Sequence, residues 1–337
     1  MALLRATTPA GIAEAAAQLQ RGGLLGLPTE TVYGLAADVA QDDAVRRIFS
    51  AKGRPADHPL IAHIAPAEGG DWRQALSPFV RELPPWALQA MHALWPGPLT
   101  LVLPRRVGRC EVAAGGLPTL AVRCPSHPGA QAVLSAARDL GVPGVAAPSA
   151  NRFGRVSPTT AQHVMDEFAD HLSDEALLVL DGGACSVGIE STIVDASRGH
   201  PVLLRPGLLT PAQLAQAFGQ SLHAIDAQAP KVSGSLASHY APRARVVLIA
   251  AADWAARWAA LSAEQRAQTA TYAPPSLSSA GAAAHHTLPS SAAACAHDLF
   301  AVLRDLDQAQ ITEIWVAQPP QDAAWAGVND RLARAAA

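Results

Sequence analysis

The chain has 337 residues, a formal net charge of −3, and 50% hydrophobic against 16% charged residues. Since a single hydrophobic core stops growing at about 250–300 residues, this length predicts two domains. The acidic balance excludes a general field that would draw in nucleic acid or an anionic membrane, so any site for an anion has to be local.

Neither CxxC pairing nor the spacing of a metal site occurs among the four cysteines, Cys110, Cys124, Cys185 and Cys295. They are typical of isolated small apolar side chains in a reducing compartment, and we expect no protein-bound metal. The N-terminus lacks the apolar run of a signal peptide, and the uncharged stretches are broken by Pro, Ser and Gln. The sequence therefore predicts a cytoplasmic protein.

Apolar periodicity in the first 208 residues alternates between helix-like and strand-like segments. Helices are predicted at 12–21, 42–50, 86–94, 131–140 and 159–168. Strands are predicted at 24–27, 60–64, 99–103, 120–123, 145–148, 177–180 and 191–194. Strands mixed with helices and interrupted by Gly and Pro favour an α/β domain built on a mixed, twisted sheet.

The rest of the chain predicts a second, smaller α/β unit. A helix at 211–218 leads into 229–243, which has linker composition but carries unexpected polar and aromatic residues. Further strands and helices are predicted at 246–249, 253–261, 292–306, 314–316 and 322–335. The Pro-, Ser- and Ala-rich stretch 272–289 is expected to be a loop. We therefore divide the chain into a domain at 1–208, a linker at 209–243 and a small domain at 244–337.

The segment KGRP at 52–55 places Lys52 and Arg54 on either side of Gly53. The chain has 25 Lys and Arg residues, and its other lysine is Lys231. A compact ammonium and a planar guanidinium two residues apart suit a site that grips a polyphosphate from two directions. The same residues also fit a helix end, with Gly53 as the cap and both cations near the negative end of the dipole. Both interpretations can hold together, and because both residues follow a helix end we expect them to lie outside the core.

Several familiar motifs are absent from the sequence, including GxxxxGK[ST], GxGxxG after a strand, HExxH and GxSxG. The chain has instead a series of short polar clusters at the ends of apolar strands, where α/β sheets usually bind ligands. Their residues are Thr29, Glu30, Thr31, His58, His63, Thr119, Arg123, Ser149, Asn151, Ser157, Glu190, Ser191, Thr192 and Arg205.

Each cluster also has a purely structural interpretation. Residues 29–31 could form a plain turn, and His63 could be a satisfied core histidine. Ser157 could cap a helix beginning at Thr159, where free N–H groups would also bind an anion. Arg123 must reach solvent or pair with an anion, because a bare buried charge is too costly.

The clusters and their order resemble the YrdC-type family of threonylcarbamoyl-AMP synthases in its two-domain form. The matching segments are LPTETVYGL (27–35), KGRP (52–55), HPLIAHI (58–64), WPGPLTLVL (95–103), LAVRCP (120–125), APSAN (147–151), SPT (157–159), IESTIVD (189–195), LLRPG (203–207) and SHYAP (238–242). The resemblance spans residues 12–243 and is looser over the C-terminal domain.

The resemblance implies a YrdC-like twisted mixed sheet with flanking helices and an open nucleotide cleft, followed by a small Rossmann-like domain. It implies an enzyme, a nucleotidyltransferase, that converts L-threonine, bicarbonate or CO2, and ATP into threonylcarbamoyl-AMP and pyrophosphate. Mg²⁺ would accompany the ATP. The product would supply other proteins that modify the tRNA adenosine beside the anticodon, whereas direct tRNA binding has little support in the sequence.

The resemblance also implies roles for individual residues. Lys52 and Arg54 would be catalytic, by neutralising charge on the phosphates. The threonine contacts would be Thr31, His63, Arg123, Ala147 through its backbone, and Ser191. The ATP contacts would be Arg54, His58, Thr119, Ser149, Asn151, Ser157, Arg205 and Tyr240.

Two positions depart from the family pattern. The family often has Asn where this chain has His58, which would alter that contact. The linker reads SGSLASHYAP, without the Gly-Met pair found in other members, although it keeps Tyr240. A linker residue that contacts ATP would make the linker a lid over the pocket, whereas the alternative is that Tyr240 only anchors the second domain.

Two other functions are compatible with this fold. A double-stranded RNA-binding or ribosome-assembly protein would need a basic stripe, which the acidic, lysine-poor composition argues against. A carbamoyltransferase of the hydrogenase-maturation type would contain this unit within a much longer chain with zinc-finger cysteines.

Overall fold

The computed structural model describes residues 3–169, 171–172, 176–234 and 239–337. Its strands are β1 (Leu3–Ala6), β2 (Leu24–Leu27), β3 (Gly34–Asp38), β4 (Ile61–His63), β5 (Leu99–Pro104), β6 (Thr119–Arg123), β7 (Val145–Ala146), β8 (Leu177–Asp181), β9 (Thr192–Asp195), β10 (Val202–Arg205), β11 (Arg245–Ile249), β12 (Thr269–Ala273), β13 (Ala284–Thr287) and β14 (Glu313–Ala317). They form two separate sheets.

The α-helices are α1 (Pro9–Gln20), α2 (Asp42–Lys52), α3 (Trp72–Leu76), α4 (Pro85–Leu94), α5 (Pro128–Asp139), α6 (Ala161–Phe168), α7 (Pro211–Phe218), α8 (Ala251–Ala259), α9 (Ala263–Ala267), α10 (Ala292–Leu306) and α11 (Ala326–Ala335). Short 3₁₀ turns occur at Glu68–Gly70 and Ala323–Trp325. No helix among these described residues is long and apolar enough to cross a membrane.

The large sheet is mixed, as the sequence predicts, with the order β1-β8-β2-β3-β7-β4-β6-β5-β9-β10. Successive residues of β2 point to opposite faces, so Leu25 and Leu27 pack with α1 and α5 while Leu24 packs with the core on the α2 side. Helices therefore cover both faces, which explains why the central strands are continuous apolar runs rather than alternating ones.

The second sheet consists of parallel strands in the order β11-β14-β12-β13, an α/β arrangement as predicted. The prediction of a loop over 272–289 is wrong, because this stretch contains the end of β12 and all of β13. Strand β13 has the sequence AHHT and lies at the sheet edge with alternate residues exposed, so it lacks the apolar run by which a strand is recognised. The proposed domain boundaries at 208 and 243 stay a prediction.

Several helix ends differ from the sequence prediction, and two of them bear on the predicted site residues. Helix α2 continues through Lys52, and Gly53 caps it at φ +61°, as expected for a left-handed C-cap. Helix α6 begins at Ala161 rather than at Thr159, and the side chain of Thr160 accepts a hydrogen bond from the His163 amide. Ser157 is therefore not a helix N-cap, and its hydroxyl serves another purpose.

The two sheets' domains are in direct contact. Val32, Val156 and Ile189 of the large domain belong to the same apolar core as the helices of the small one. Two glycines let the backbones approach closely. A Cβ on Gly188 would lie 2.4 Å from the Ala296 carbonyl oxygen, and a Cβ on Gly327 would lie 2.5 Å from that of Gly207. The contact runs beside 188–191, which also border the candidate site.

Candidate functional site

A small cavity lies where β4, β6 and β10 end, where β9 begins, and where the linker crosses the large domain. It has a volume of about 30 Å³. It brings together eight predicted site residues, namely Thr31, His63, Arg123, Ala147, Ser149, Ser191, Arg205 and Tyr240. It is also lined by Glu190, Ser233 and His239, to which the sequence assigned no substrate contact. The expected open cleft is filled here by the linker.

Arg123 ends β6 and is buried in this cavity. Its Nη1 donates to Thr31 Oγ1 at 2.7 Å, and its Nε donates to the Gly97 carbonyl at 3.2 Å. Its Nη2 lies 2.8 Å from Glu30 Oε1, so the charge is paired as burial requires. Among the described residues Nη2 has no well-aligned hydrogen-bond acceptor, so its contact with Glu30 is an ion pair that a substrate carboxylate would have to share or displace.

His63 is the last residue of β4, and its Nδ1 lies 3.1 Å from the Ile61 carbonyl oxygen. Burial, reinforced by the Arg123 charge, lowers the His63 pKa to about 3. The ring is therefore neutral at physiological pH and carries its hydrogen on Nδ1 when it donates to that carbonyl. His63 is thus a satisfied core histidine whose ring also lines the cavity, and its contact with threonine stays a prediction.

Arg205 and Ser191 lie next to each other on the wall formed by β9 and β10. Arg205 donates from Nε and Nη2 to the Ser191 carbonyl, at 3.1 and 2.9 Å. The Ser191 hydroxyl lies 2.7 Å from Thr100 Oγ1. Arg205 Nη1 donates to the Ser233 carbonyl at 2.9 Å, so this guanidinium holds the linker in the cavity.

Lys52 is buried, with 2% exposure, and this contradicts the expectation that it follows a helix end outside the core. Its ammonium donates to the Ser149 carbonyl at 2.6 Å and to the Asn151 carbonyl. Burial, followed by repulsion from Arg54, lowers the Lys52 pKa well below its ordinary value. The cation fastens the APSAN loop to α2, a role that sequence could not reveal because its partners are backbone oxygens.

Arg54 is also buried, at 7% exposure, and lies against the linker. Its Nη2 donates to the Pro59 carbonyl at 3.1 Å and to Ser233 Oγ at 3.4 Å. Burial lowers its pKa to about 10, so the side chain stays charged at physiological pH. Within the described part of the chain, Arg54 Nε and Tyr240 Oη are buried without a hydrogen-bond partner, as expected of groups that meet a ligand.

Ser157 and Asn151 support the site without lining the cavity. Ser157 Oγ donates to Glu190 Oε1 at 2.5 Å, which is the purpose that replaces the predicted helix cap. Asn151 Nδ2 donates to the carbonyls of Arg152 and Arg155, at 2.7 and 2.9 Å, and so fixes its own loop.

Thr119 and His58 are not brought to the cavity. Thr119 begins β6, at the opposite end of the strand from Arg123, and is paired with Pro104. Four residues of strand separate the two positions by about 13 Å. His58 is half-buried, with its ring edge-on to Phe153 at 5.5 Å between centroids. Their roles as ATP contacts stay predictions.

Sequence reasoning missed several residues at the site. Glu30 and Glu190 belong to the predicted polar clusters, but the sequence does not predict their function. Each of them is paired with a buried arginine. Ser233 and His239 lie in the linker with Tyr240, the only linker residue for which the sequence predicts a ligand contact. Arg331, from α11, contacts Glu190 from the second domain, and a single arginine on an amphipathic helix carries no signal that would identify it.

The charges around the cavity favour an anionic ligand. Arg123 and Arg205 are buried and line it, whereas Arg54 lies behind Ser233 and Lys52 behind the Ser149 loop. The nearby carboxylates are already engaged by arginine, Glu30 by Arg123 and Glu190 by Arg331. Their pKa values lie below the ordinary value because these charges outweigh the opposing effect of burial. Cations in excess of carboxylates suit a polyphosphate and a substrate carboxylate.

Two family models match the chain. The Sua5–YciO–YrdC model, described as telomere recombination, matches residues 17–207. The model described as threonylcarbamoyl-AMP synthase, C-terminal domain, matches residues 209–337. Together they cover the small sheet and every strand of the large sheet except β1.

Curated relatives include the threonylcarbamoyl-AMP synthases of Pyrococcus abyssi (strain GE5 / Orsay) and Bacillus subtilis (strain 168), each 40% identical to this chain. Each alignment covers 70% of this chain and 66% of the relative, just under two thirds of the relative's length. The relative from Schizosaccharomyces pombe is 36% identical, over 66% of this chain and 59% of its own.

Similar solved structures cover the whole chain. Pyrococcus abyssi Sua5 complexed with L-threonine has a TM-score of 0.85 and 33% identity, covering 100% of this chain and 97% of that one. A variant of the same protein, with a histidine and a tyrosine replaced by alanine, has a TM-score of 0.88 and 32% identity, covering 100% and 96%.

Proposed function

Because the chain belongs to the Sua5–YciO–YrdC family, we propose that it is a threonylcarbamoyl-AMP synthase. It joins L-threonine, bicarbonate or CO2, and ATP into threonylcarbamoyl-AMP, and releases pyrophosphate. The relatives that carry this name are 40% identical to it. The adenylate then serves proteins that complete a tRNA modification, so we place the reaction in the cytoplasm.

One observation carries the proposal, namely that a carboxylate-binding arrangement and a phosphate-binding arrangement border the same cavity. Arg123 and Thr31 form the first, and a substrate carboxylate would share Arg123 Nη2 with Glu30 or displace Glu30 from it. Arg205 and Arg54 form the second, and both now contact Ser233 of the linker. An amino acid held at Arg123 would therefore have its amine facing the phosphates.

The chemistry needs no covalent nucleophile. The threonine amine captures CO2 as a carbamate, a carbamate oxygen attacks the α-phosphorus of ATP, and the bond to pyrophosphate breaks. Arg54 and Arg205 would stabilise the charge that builds on the phosphates, while Lys52 keeps the Ser149 loop in place. Positioning and charge stabilisation in a cleft that excludes water would supply the rate.

The linker has to move for ATP to bind. A cavity of about 30 Å³ has room for about two water molecules at most, whereas pockets for small ligands measure roughly 300–1,000 Å³. Ser233 and Tyr240 fill the space, and Arg54 and Arg205 are the groups they cover. We propose that the linker is a lid that leaves when substrates enter and returns to exclude water from the adenylate.

Mg²⁺ belongs to this reaction as part of the substrate MgATP. No group of three or more His, Cys, Asp or Glu side chains suited to a metal occurs among the described residues. Glu30 and Glu190 are already paired with arginine. Oxygens of the phosphates would hold most of the ion's coordination shell.

The test is pyrophosphate release from MgATP, with threonine and bicarbonate each left out in turn. We expect release only when both are present, with serine a poorer substrate than threonine. Release that continues at full rate without threonine would identify a simple ATPase and contradict the proposal.

A further inference from the structure

Arg331 is an arginine of the small domain that lies against the wall of the large domain's cavity. It is on α11 and has 0% exposure. A guanidinium is normally exposed, and full burial is costly unless its N–H groups are used and its charge is paired. The partners of Arg331 therefore indicate what the side chain does.

The guanidinium of Arg331 contacts two residues of the large domain, Glu190 and Pro206, and one residue of the linker, Tyr240. Its Nε donates to Glu190 Oε2 at 2.8 Å, and its Nη2 donates to the Glu190 carbonyl at 3.1 Å. Its Nη1 donates to the Pro206 carbonyl at 2.7 Å. The guanidinium carbon lies 5.5 Å from the centroid of the Tyr240 ring. Asp330 on the same helix accepts from Nη1 at 2.8 Å.

Each of these three residues adjoins or lines the proposed site. Glu190 precedes Ser191, Pro206 follows Arg205, and Tyr240 lines the cavity itself. Glu190 also lines the cavity and holds Ser157 through its other oxygen. One side chain from the small domain thus fixes the backbone on both strands of the wall that faces the phosphates.

We propose that Arg331 is a positioning residue for ATP, through which the small domain cancels the charge of Glu190 and fixes the wall that carries Ser191 and Arg205. This inference rests on the proposed function. Arg331 is not one of the residues that line the cavity, and it acts through Glu190, Pro206 and Tyr240.

The electrostatic reason is simple. Without Arg331, Glu190 would be a buried carboxylate next to the position that the ATP phosphates must take. Like charges at close range in a poorly solvated site repel strongly, and Arg205 would be drawn toward Glu190 instead of the phosphates. ATP affinity should therefore fall more than the rate of the chemical step.

The experiment compares four full-length proteins, namely wild type, Arg331→Gln, the double variant Glu190→Gln/Arg331→Gln, and Arg245→Gln. Arg245 is in the same domain and pairs with Glu313 on the surface, so its variant controls for loss of an arginine. Two quantities are measured, the KM for ATP in the pyrophosphate assay and the Kd of a non-hydrolysable ATP analogue by calorimetry.

We expect Arg331→Gln to raise the ATP KM and the analogue Kd by about tenfold or more, with a smaller fall in kcat. The double variant should recover much of that loss, at least about fivefold, because both charges of the pair are gone. A merely structural role predicts no such recovery. An unchanged Kd in Arg331→Gln, or a double variant no better than the single one, would overturn the proposal.

If Arg331→Gln does not fold, the Kd of the ATP analogue for Arg331→Lys tests the proposal instead. A lysine keeps the charge but loses the fork, so the analogue Kd should rise by less than about threefold. A tenfold loss in this variant would show that charge cancellation is not what matters. Because the analogue Kd needs no turnover, a failure of the proposed reaction is distinguishable from a failure of this inference.

Discussion

Glu30 Oε1 lies 2.8 Å from Arg123 Nη2, and both side chains are almost wholly buried. Glu30 therefore already occupies one side of the Arg123 guanidinium. This guanidinium is the group that we propose binds the carboxylate of threonine. Thr31 takes a second part through a 2.7 Å hydrogen bond. Threonine would therefore share Arg123 with Glu30 or push it aside, and Glu30 keeps the arginine neutralised until a substrate arrives.

Replacing Arg123 with Ala should raise the threonine KM by about 30-fold or more, since truncating one partner of a buried charged hydrogen bond costs about 2–5 kcal/mol. The ATP KM, measured in the same pyrophosphate assay, serves as the internal control and should change much less. The variant should also lose about 3–5 kcal/mol of unfolding free energy, because Glu30 is left buried without its partner. An effect on ATP alone would show that we have divided the pocket wrongly.

Replacing Lys52 with Ala should lower both activity and stability. Its ammonium donates hydrogen bonds to the Ser149 and Asn151 carbonyls. Each buried carbonyl left without a hydrogen bond costs about 1–3 kcal/mol of unfolding free energy. Urea unfolding measures this loss. The matched control is Arg46→Ala on the same helix, whose exposed pair with Asp43 is worth about 0–1 kcal/mol. Equal stability of the two variants would contradict our conclusion that Lys52 fastens the APSAN loop to α2.

Replacing Gly234 with Ala should move the linker out of the cavity. Gly234 has φ +75°, and an added Cβ would lie 2.4 Å from the Tyr240 hydroxyl and 3.0 Å from Arg205 Nη1. We expect faster protease cleavage within 229–243 and more free AMP from hydrolysed product, because the lid closes less often. Gly199→Ala, where an added Cβ meets no atom within 4 Å, is the control. Cleavage and AMP release no different from this control would count against the lid.

Stability should fall as pH decreases from 7.5 to 5.5. Burial lowers the pKa of His63 and of His239 to about 3, whereas an unfolded histidine titrates near 6.5. The unfolded chain therefore binds more protons below pH 6.5, so the stability present above that pH is lost as pH falls toward the folded value. Each histidine contributes about 1.4 kcal/mol in total between pH 7.5 and 5.5, and the slope approaches about 1.4 kcal/mol per pH unit only well below pH 6.5.

Unfolding of His63→Asn by urea at several pH values measures this effect. The variant should show a shallower pH dependence by the slope of one histidine. The exposed His92 provides the control, since His92→Asn should keep the wild-type dependence. Loss of the Glu30 and Glu190 contributions occurs only below about pH 4.5, because both carboxyl pKa values are lowered, so the two effects separate. A dependence unchanged in His63→Asn would contradict a neutral His63.

The sequence predicts the mixed character of the large sheet and most of its strands. Apolar runs flanked by Gly and Pro form strands for reasons that lie within the run itself. Strands β1, β3, β10, β12 and β13 escape this reasoning, and β3 and β13 show why. Strand β3 is made of small residues after a polar turn, and β13 has a half-exposed pattern at a sheet edge. Pairing with distant strands decides both of them.

The site divides in the same way. Arg123 and Arg205 are recognisable because a charge inside an apolar strand needs an anion. Lys52 looks like a surface residue because its neighbours in sequence end a helix, while its real partners lie 97 residues or more away along the chain. Arg331 is further still from Glu190, by 141 residues, and only the packing of two domains brings them together.

The two lysines of this chain have opposite surroundings, which gives a practical advantage. Lys52 is enclosed and bound to two carbonyls, whereas Lys231 is exposed and precedes Ser233 by two residues in the linker. Of the two lysines, an amine-reactive dye applied to the native protein would therefore label only Lys231, once the chain's α-amine, which loses its proton at a lower pH than a lysine, has been blocked. That label would lie on the moving segment, so its fluorescence could follow lid opening in real time without any substitution.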